Sequence, residues 1–223
     1  MRRTILIGDV HGCVDEVEDL LRACGYVRSD LVVFVGDLVA KGPDSQGVVQ
    51  LARELGARGV RGNHDHHVLS WHRKRCADSR PLKPHHQKVA DSLTEPDWRY
   101  LESLPLVMRL PELRLIVVHA GFVPGQPLAQ QRAEHLLNLR SITADGRPSK
   151  RIDDGVPWGS TWQGPDLVIF GHDAMRGLQQ HRFAIGLDTG CVYGHSLTAL
   201  LMPERRFVQV PARRPYCTHK SKE

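Results

Sequence analysis

Short apolar runs that end in a polar cluster recur along this chain. Residues 4–8, 31–36 and 57–61 are such runs, and each reads as a buried strand. Between them, residues 14–24 carry Val14, Val17, Leu20 and Leu21 at helical spacing with acids in between. Residues 44–55 read as a second helix, capped by Asp44 or Ser45. Strand–helix–strand–helix–strand predicts a parallel sheet with helices on its faces. Residues 65–104 read as helical, interrupted at Pro81, Pro84 and Pro96. Residues 106–110 and 113–119 read as a strand pair around Pro111-Glu112. Residues 120–165 are rich in Gly and Pro and predict loop, with one helix near 129–137. Residues 167–170, 184–187, 197–202 and 207–210 add further strands. No internal repeat, low-complexity segment or linker interrupts the pattern. The expectation is an α/β fold, one domain over residues 1–203 with a second sheet packed inside it, then a final strand and basic tail over 204–223.

Composition changes this picture little. A chain of 223 residues that is 41% hydrophobic and 25% charged can bury a core without disulfide staples. Cys13, Cys24, Cys76, Cys191 and Cys217 are scattered without CxxC spacing and read as reduced thiols. The apolar run at 5–7 is too short for a signal peptide, and no stretch is long enough to span a bilayer. The expectation is a cytoplasmic protein with no membrane partner. Charge adds more. The net charge of +5 is uneven. Residues 204–223 hold Arg205, Arg206, Arg213, Arg214, Lys220 and Lys222 against Glu204 and Glu223. Residues 71–88 hold Arg73, Lys74, Arg75, Arg80, Lys83 and Lys88 against Asp78 alone. Such segments suit an anionic partner. The tail reads as solvated surface; the 71–88 segment reads equally as surface or as a contact for phosphates.

The chemistry lies where the strands end. Five polar clusters stand there: Gly8-Asp9-Val10-His11-Gly12, Gly36-Asp37, Gly62-Asn63-His64-Asp65, His119-Ala120-Gly121 and Gly171-His172-Asp173. In an open α/β sheet, ligands bind beyond the carboxyl ends of the strands, so all five can meet. Carboxylate, imidazole and amide oxygen form a hard-to-borderline donor set suited to Mn, Fe or Zn. Asp9 and His11, two residues apart, can point to one metal. Asp37 can bridge two metals, and Asn63, His119 and His172 complete the second. A single Gly-Asp or Gly-His is most simply a strand-to-helix turn; five of them, each after an apolar run, make a site. Asp188 reads as a turn-former. His66, His67, His72, His85 and His86 read as surface or core-edge residues. Trp158 and Trp162 are candidates for stacking on a nucleobase.

The series G-D-x-H-G, G-D, G-N-H-[DE], H-A-G and G-H resembles the calcineurin-like metallophosphoesterases, within the phosphoprotein phosphatase superfamily. The resemblance runs from Thr4 to about Leu200. Residues 36–45 (GDLVAKGPDS), 62–65 and 187–194 (LDTGCVYG) resemble the ApaH-like phosphatases, relatives of symmetrical diadenosine tetraphosphatase. This implies a four-layer α/β/β/α fold and a site for two divalent metal ions, often Mn, with Fe, Zn or Ni as alternatives. Such a site activates a water that attacks phosphorus in line. The resemblance makes His64 the general acid toward the leaving oxygen. Asp65 then fixes the tautomer of His64 or the local turn. Ala40-Lys41 stands where protein phosphatases have Asp-Arg, so Lys41 offers a point charge to phosphate instead of a bidentate fork. Arg140, in Asn138-Leu139-Arg140-Ser141, resembles the family's second phosphate-clamping arginine. His195 stands where relatives often have Gly, at the border of the site. The expected reaction is cleavage of phosphoanhydride bonds in dinucleoside polyphosphates. The alternatives are a phosphoprotein Ser/Thr phosphatase on the same metals, an RNA 5′-end or cap pyrophosphohydrolase, and a non-catalytic anion-binding scaffold. The expected partner is a small-molecule nucleoside polyphosphate or other phosphorylated substrate, with an RNA 5′ end as a further candidate.

Overall fold

The computed structural model describes residues 2–74 and 82–218. β1 (Thr4–Ile7), α1 (Val14–Ala23), β2 (Leu31–Phe34), α2 (Ser45–Glu54) and β3 (Arg58–Gly59) follow one another as the apolar runs predict. Asp44 caps α2 by accepting the Gly47 N–H at 2.7 Å. β1 lies parallel to β2, with Ile5 beside Val32, and β2 lies parallel to β3. The helical stretch divides into α3 (Asn63–Lys74), α4 (Pro84–Ser92) and α5 (Glu95–Ser103). Pro84 and Pro96 fall in the first turns of α4 and α5, where a missing N–H costs nothing. Pro81 lies outside the described residues.

β4 (Val107–Leu110) and β5 (Leu115–Val118) form the expected antiparallel pair. α6 (Ala133–Asn138) begins later than the sequence suggests, because a 3-10 turn occupies residues 128–130. The stretch predicted as loop also holds β6 (Ser141–Ile142), β7 (Pro148–Ser149) and β8 (Val156–Pro157), a small antiparallel sheet. Strands of two residues carry no periodicity to read. α7 (Trp158–Thr161), β9 (Leu167–Phe170), β10 (Gln179–Gln180), β11 (Ala184–Gly186), β12 (Ser196–Met202) and β13 (Arg206–Pro211) complete the chain.

Two five-stranded sheets result, ordered β13-β12-β1-β2-β3 and β10-β11-β9-β5-β4. Alternation along their strands builds the layers. Leu6, Val33 and Val35 meet Leu115, Val117, Leu167 and Ile169 between the sheets. Ile5, Ile7, Val32 and Phe34 point the other way, into a core with Val17 and Leu20 of α1, Val48 and Val49 of α2, Val68 and Leu69 of α3, and Leu101 of α5. Ile116, Val118, Val168 and Phe170 point outward from the second sheet, against Leu136 of α6 and Trp158 of α7. The order is helices, sheet, sheet, helices, the expected four-layer α/β/β/α fold. Both strand faces are buried, so the strands read as continuous apolar runs. Each such side chain contributes about 1.5–3 kcal/mol of burial.

The tail is built in further than a solvated segment. β12 and β13 pair across residues 203–205. Beyond them, the Arg213 N–H and the Tyr216 hydroxyl both donate to Glu16 Oε1, at 2.9 and 2.8 Å, and the Arg213 guanidinium reaches Asp15 and Asp19. Lys220 and Lys222 lie outside the described residues. Cys13, Cys24, Cys191 and Cys217 are free thiols. Among the described residues, no helix is long and apolar enough to cross a membrane.

Candidate active site

The parallel strands β1, β2 and β3 of one sheet and β5, β9 and β11 of the other end on the same side of the molecule. Asp9 and His11 follow β1, Asp37 follows β2, Asn63 follows β3, His119 follows β5 and His172 follows β9. The structure brings all six together, and all but Asn63 are at most 8% exposed. Asp9, His11, Asp37, Asn63 and His172 line one cavity of about 220 Å³, together with Lys41, His64, Arg140 and Asp188.

Fixed backbone contacts aim these side chains. The His11 Nδ1 is 3.2 Å from the Val39 carbonyl, and the His119 Nδ1 is 3.0 Å from the Val35 carbonyl. A carbonyl only accepts, so in each ring Nδ1 donates and Nε2 keeps its lone pair. Burial holds the rings neutral: it pushes His11 well below the usual histidine range, with Lys41 adding to the effect, and brings His119 down to about 4. The two bare Nε2 atoms face the same oxygen, Asp37 Oδ2, at 3.4 and 3.6 Å. Asn63 Oδ1 lies 3.0 Å from both His119 Nε2 and His172 Nδ1. The other nitrogen of His172, Nε2, is buried without a hydrogen-bond partner among the described residues.

Imidazole lone pairs and carboxylate and amide oxygens that converge in this way fit divalent cations. A ring anchored by Nδ1–H to a carbonyl, with Nε2 free, is also the usual preparation of a metal-ligating histidine. The carboxylates agree. Burial, Asp188 and Asp37 push Asp9 well above the usual carboxylate range; burial raises Asp37 to about 7 and also raises Asp188. Buried acids grouped in this way call for positive charge. Lys41 supplies part of it, donating from Nζ to His11 Nε2 at 2.9 Å and standing 5.3 Å from the Tyr193 ring centroid. Burial works against its ammonium, but Asp37, Tyr193 and Asp188 together outweigh that and raise its pKa.

The backbone is strained where the candidate ligands sit. Among the described residues, His11, Asp37, Ala40, Lys41, Arg114, His172 and Arg205 are the non-glycine positions with positive φ. Five of these seven belong to the site or its Ala40–Lys41 loop. Such conformations cost roughly 1–3 kcal/mol each and persist only where the surroundings hold them. Close approach sets two glycines. A Cβ on Gly62 would strike the backbone and carboxylate of Asp37, and one on Gly171 would strike the Asp9 carboxylate.

The remaining expected residues divide between the cavity and its supports. The His64 backbone N–H donates to Asp37 Oδ1 at 2.9 Å, and its ring lines the cavity, edge-on to His11 at 5.0 Å. Asp65 does not touch that ring. Its two oxygens accept the Val39 N–H at 3.1 Å and the Gly62 N–H at 2.9 Å, so it ties the β3–α3 turn to the β2–α2 loop. The Arg140 guanidinium lines the cavity and donates to the carbonyls of His172 and Lys150, each at 3.1 Å. Trp158 is 2% exposed and packs 4.8 Å from Phe170 in the outer core, with Trp162 beside Phe122. These tryptophans build the outer layer and offer no stacking face in the ligand cavity. His195 is exposed and stands outside the cavity lining.

Two site features are not among the residues that the sequence pattern singles out. Asp188 is buried beside Asp9 while also accepting the Gly190 N–H at 3.1 Å. It follows β11 as the other clusters follow their strands, so the same signal points to it. His86 of α4 is buried, with Nε2 3.0 Å from His64 Nδ1; nothing in its sequence neighbourhood marks it. A second cavity of about 670 Å³ opens between the β2–α2 loop and α4, lined among others by Ala40, Lys41, Pro43, His85 and Lys88. Lys41 is common to both cavities. Arg73, by contrast, pairs with Glu102 at 3.2 Å. Arg75 and Arg80 lie outside the described residues.

Strand-end ligands between two sheets define a metal-dependent phosphoesterase. The calcineurin-like phosphoesterase family model matches residues 2–199, and the chain belongs to that family. It is 30% identical to the asymmetrical bis(5′-nucleosyl)-tetraphosphatase PrpE of Oceanobacillus iheyensis, over 96% of this chain and 94% of that one. It is equally 30% identical to the symmetrical bis(5′-nucleosyl)-tetraphosphatase of Hamiltonella defensa, over 93% and 96%. A crystal structure described as a candidate diadenosine tetraphosphatase superposes with a TM-score of 0.86 at 41% identity, over 95% of this chain and 94% of that one.

Proposed function

We propose that this protein hydrolyses phosphoanhydride bonds of dinucleoside polyphosphates on a dinuclear divalent metal site. Asp9, His11 and Asp37 would hold one ion, and Asp37, Asn63, His119 and His172 the other. Three oxygen donors and three imidazoles make a mixed donor set that suits Mn, Fe or Zn. Bound there, the ions supply positive charge to a phosphoryl group and acidify water. Lys41 and Arg140, on two sides of the cavity, bind the non-bridging oxygens of the phosphoryl group under attack. His64 offers a ring N–H to the leaving oxygen.

The observation that carries this reading is a pair of cavities that share Lys41 in their linings. A polyphosphate can run from the ligand pocket past Lys41 into the groove toward Lys88, which makes room for a substrate longer than a single phosphoryl group. The surroundings of His64 agree. Its ring is buried among His11, Lys41 and His86, which keeps it neutral. A neutral imidazole donates a hydrogen bond well but gives up a whole proton poorly. A nucleotide leaving group departs as a phosphate, whose second pKa is about 6, so it needs only the hydrogen bond. A serine alkoxide needs the proton. The relatives' names point to the same substrates.

The test is a substrate panel with manganese supplied. Diadenosine tetraphosphate should exceed a phosphoserine peptide in kcat/KM by at least about tenfold. The reverse ranking would transfer the site to protein dephosphorylation, and a preference for capped RNA would transfer it to RNA ends.

A further inference from the structure

His86 comes from α4, an element that contributes none of the six ligands, yet its ring touches the reacting end of the molecule. Its Nε2 is 3.0 Å from His64 Nδ1. Among the described residues nothing else holds that nitrogen: the ring of His64 makes its hydrogen bond to His86, and Asp65, next in sequence, spends both oxygens on backbone N–H groups. His86 is itself fixed in place. It is 5% exposed, and its ring is flanked by those of His85 at 4.1 Å and His67 at 4.6 Å.

The direction of the His64–His86 hydrogen bond is set by the far side of His86. Its Nδ1 is buried with no hydrogen-bond partner among the described residues. Were His86 to accept at Nε2, its own proton would sit on Nδ1 as a buried donor without an acceptor, the rarer and costlier kind of orphan. With the proton on Nε2 instead, His86 donates to His64 Nδ1, and Nδ1 of His86 is left as a bare lone pair. His64 must then carry its proton on Nε2, the nitrogen left for the cavity.

We infer that His86 is a positioning residue, which by donating to His64 Nδ1 fixes the His64 tautomer and aims its Nε2–H at the leaving oxygen of the polyphosphate. No proton changes hands between the two rings in this role; His86 holds a hydrogen and His64 presents one. The inference rests on the reading of His64 as donor to the leaving oxygen.

The test is a double-mutant cycle on the manganese-loaded enzyme with diadenosine tetraphosphate. His86→Ala should lower kcat about tenfold with KM within about twofold, a part of the hundredfold or more that a positioned acid–base group contributes. His86→Gln, whose amide N–H lies at the reach of Nε2, should restore most of that loss. In a His64→Ala background, His86→Ala should add no further loss. The inference is overturned if His86→Ala leaves kcat unchanged, if its loss persists in full in the His64→Ala background, or if His86→Gln is as slow as His86→Ala while melting like the wild type. A His64→Ala enzyme as fast as wild type would instead sink the underlying assignment of His64.

Discussion

The ligand pocket and the groove beside it share Lys41 but are built in opposite ways. The pocket is small, about 220 Å³, and its side chains stand at strand ends. Backbone contacts and left-handed conformations aim them. The groove is about three times larger, and a helix face and a loop form its walls. Its Lys88 is exposed. The pocket is held by strand ends of both sheets. The groove can change its side chains without disturbing either sheet. On the proposed reading, reaction type and substrate choice are therefore separable in this fold.

Several changes can break or sharpen that contrast. The largest effect belongs to the pocket: Asp37→Asn, assayed with manganese, should reduce hydrolysis by about a thousandfold or more. Full activity in that variant would remove Asp37 from the bridging position. Arg140→Ala should lower kcat by roughly ten- to a hundredfold, since it subtracts charge where the phosphoryl oxygens gather; a loss seen only in KM would move Arg140 out of the reacting centre. Lys88→Ala, in the groove, should leave kcat alone, raise KM for diadenosine tetraphosphate about threefold and flatten its salt dependence. An unchanged KM would return Lys88 to solvated surface.

The smallest effect is one of stability in the metal-free chain. The folded state raises Asp37 to about 7 through burial, above its ordinary value of 3.8. The protonated form is therefore favoured on folding. Stability from this group is whole below about pH 4 and is lost as pH rises through about 7. Asn mimics the protonated acid, so Asp37→Asn should melt like wild type near pH 4 and some 5 °C higher at pH 8, by calorimetry after chelation. Equal melting at both pH values would mean that Asp37 carries no buried charge penalty. A variant less active yet more stable would mark the pocket as strained for its chemistry.

Much of the site is legible in the residue pattern. Apolar strands ending in Gly-Asp, Gly-Asn or His-Ala-Gly announce both the sheet and the place where ligands gather. The strand buries its own side chains and delivers the polar residues after it to the sheet's edge. Asp188 obeys the same rule, but its short strand and the Thr-Gly beside it give it the look of a turn-former. The groove is half legible: the basic 71–88 segment points to it, but only Lys88 among the described basic positions lines it, while Arg73 turns to Glu102. Helical periodicity tells which face is buried, not which cavity an exposed lysine borders. The small sheet around Ser141 leaves no trace, since two-residue strands have no period.

The chain's sequence determined alone the alternation of elements, the six candidate ligands and the absence of a carboxylate at Ala40. These depend on local rules, which act over a few residues. The tertiary structure decided the rest: that Asp65 secures a turn instead of His64, that Trp158 belongs to the core, and that His86 meets His64 across 22 residues of chain. A hydrogen bond of 3.0 Å between two helices depends on how they pack, and packing is set by the whole core at once.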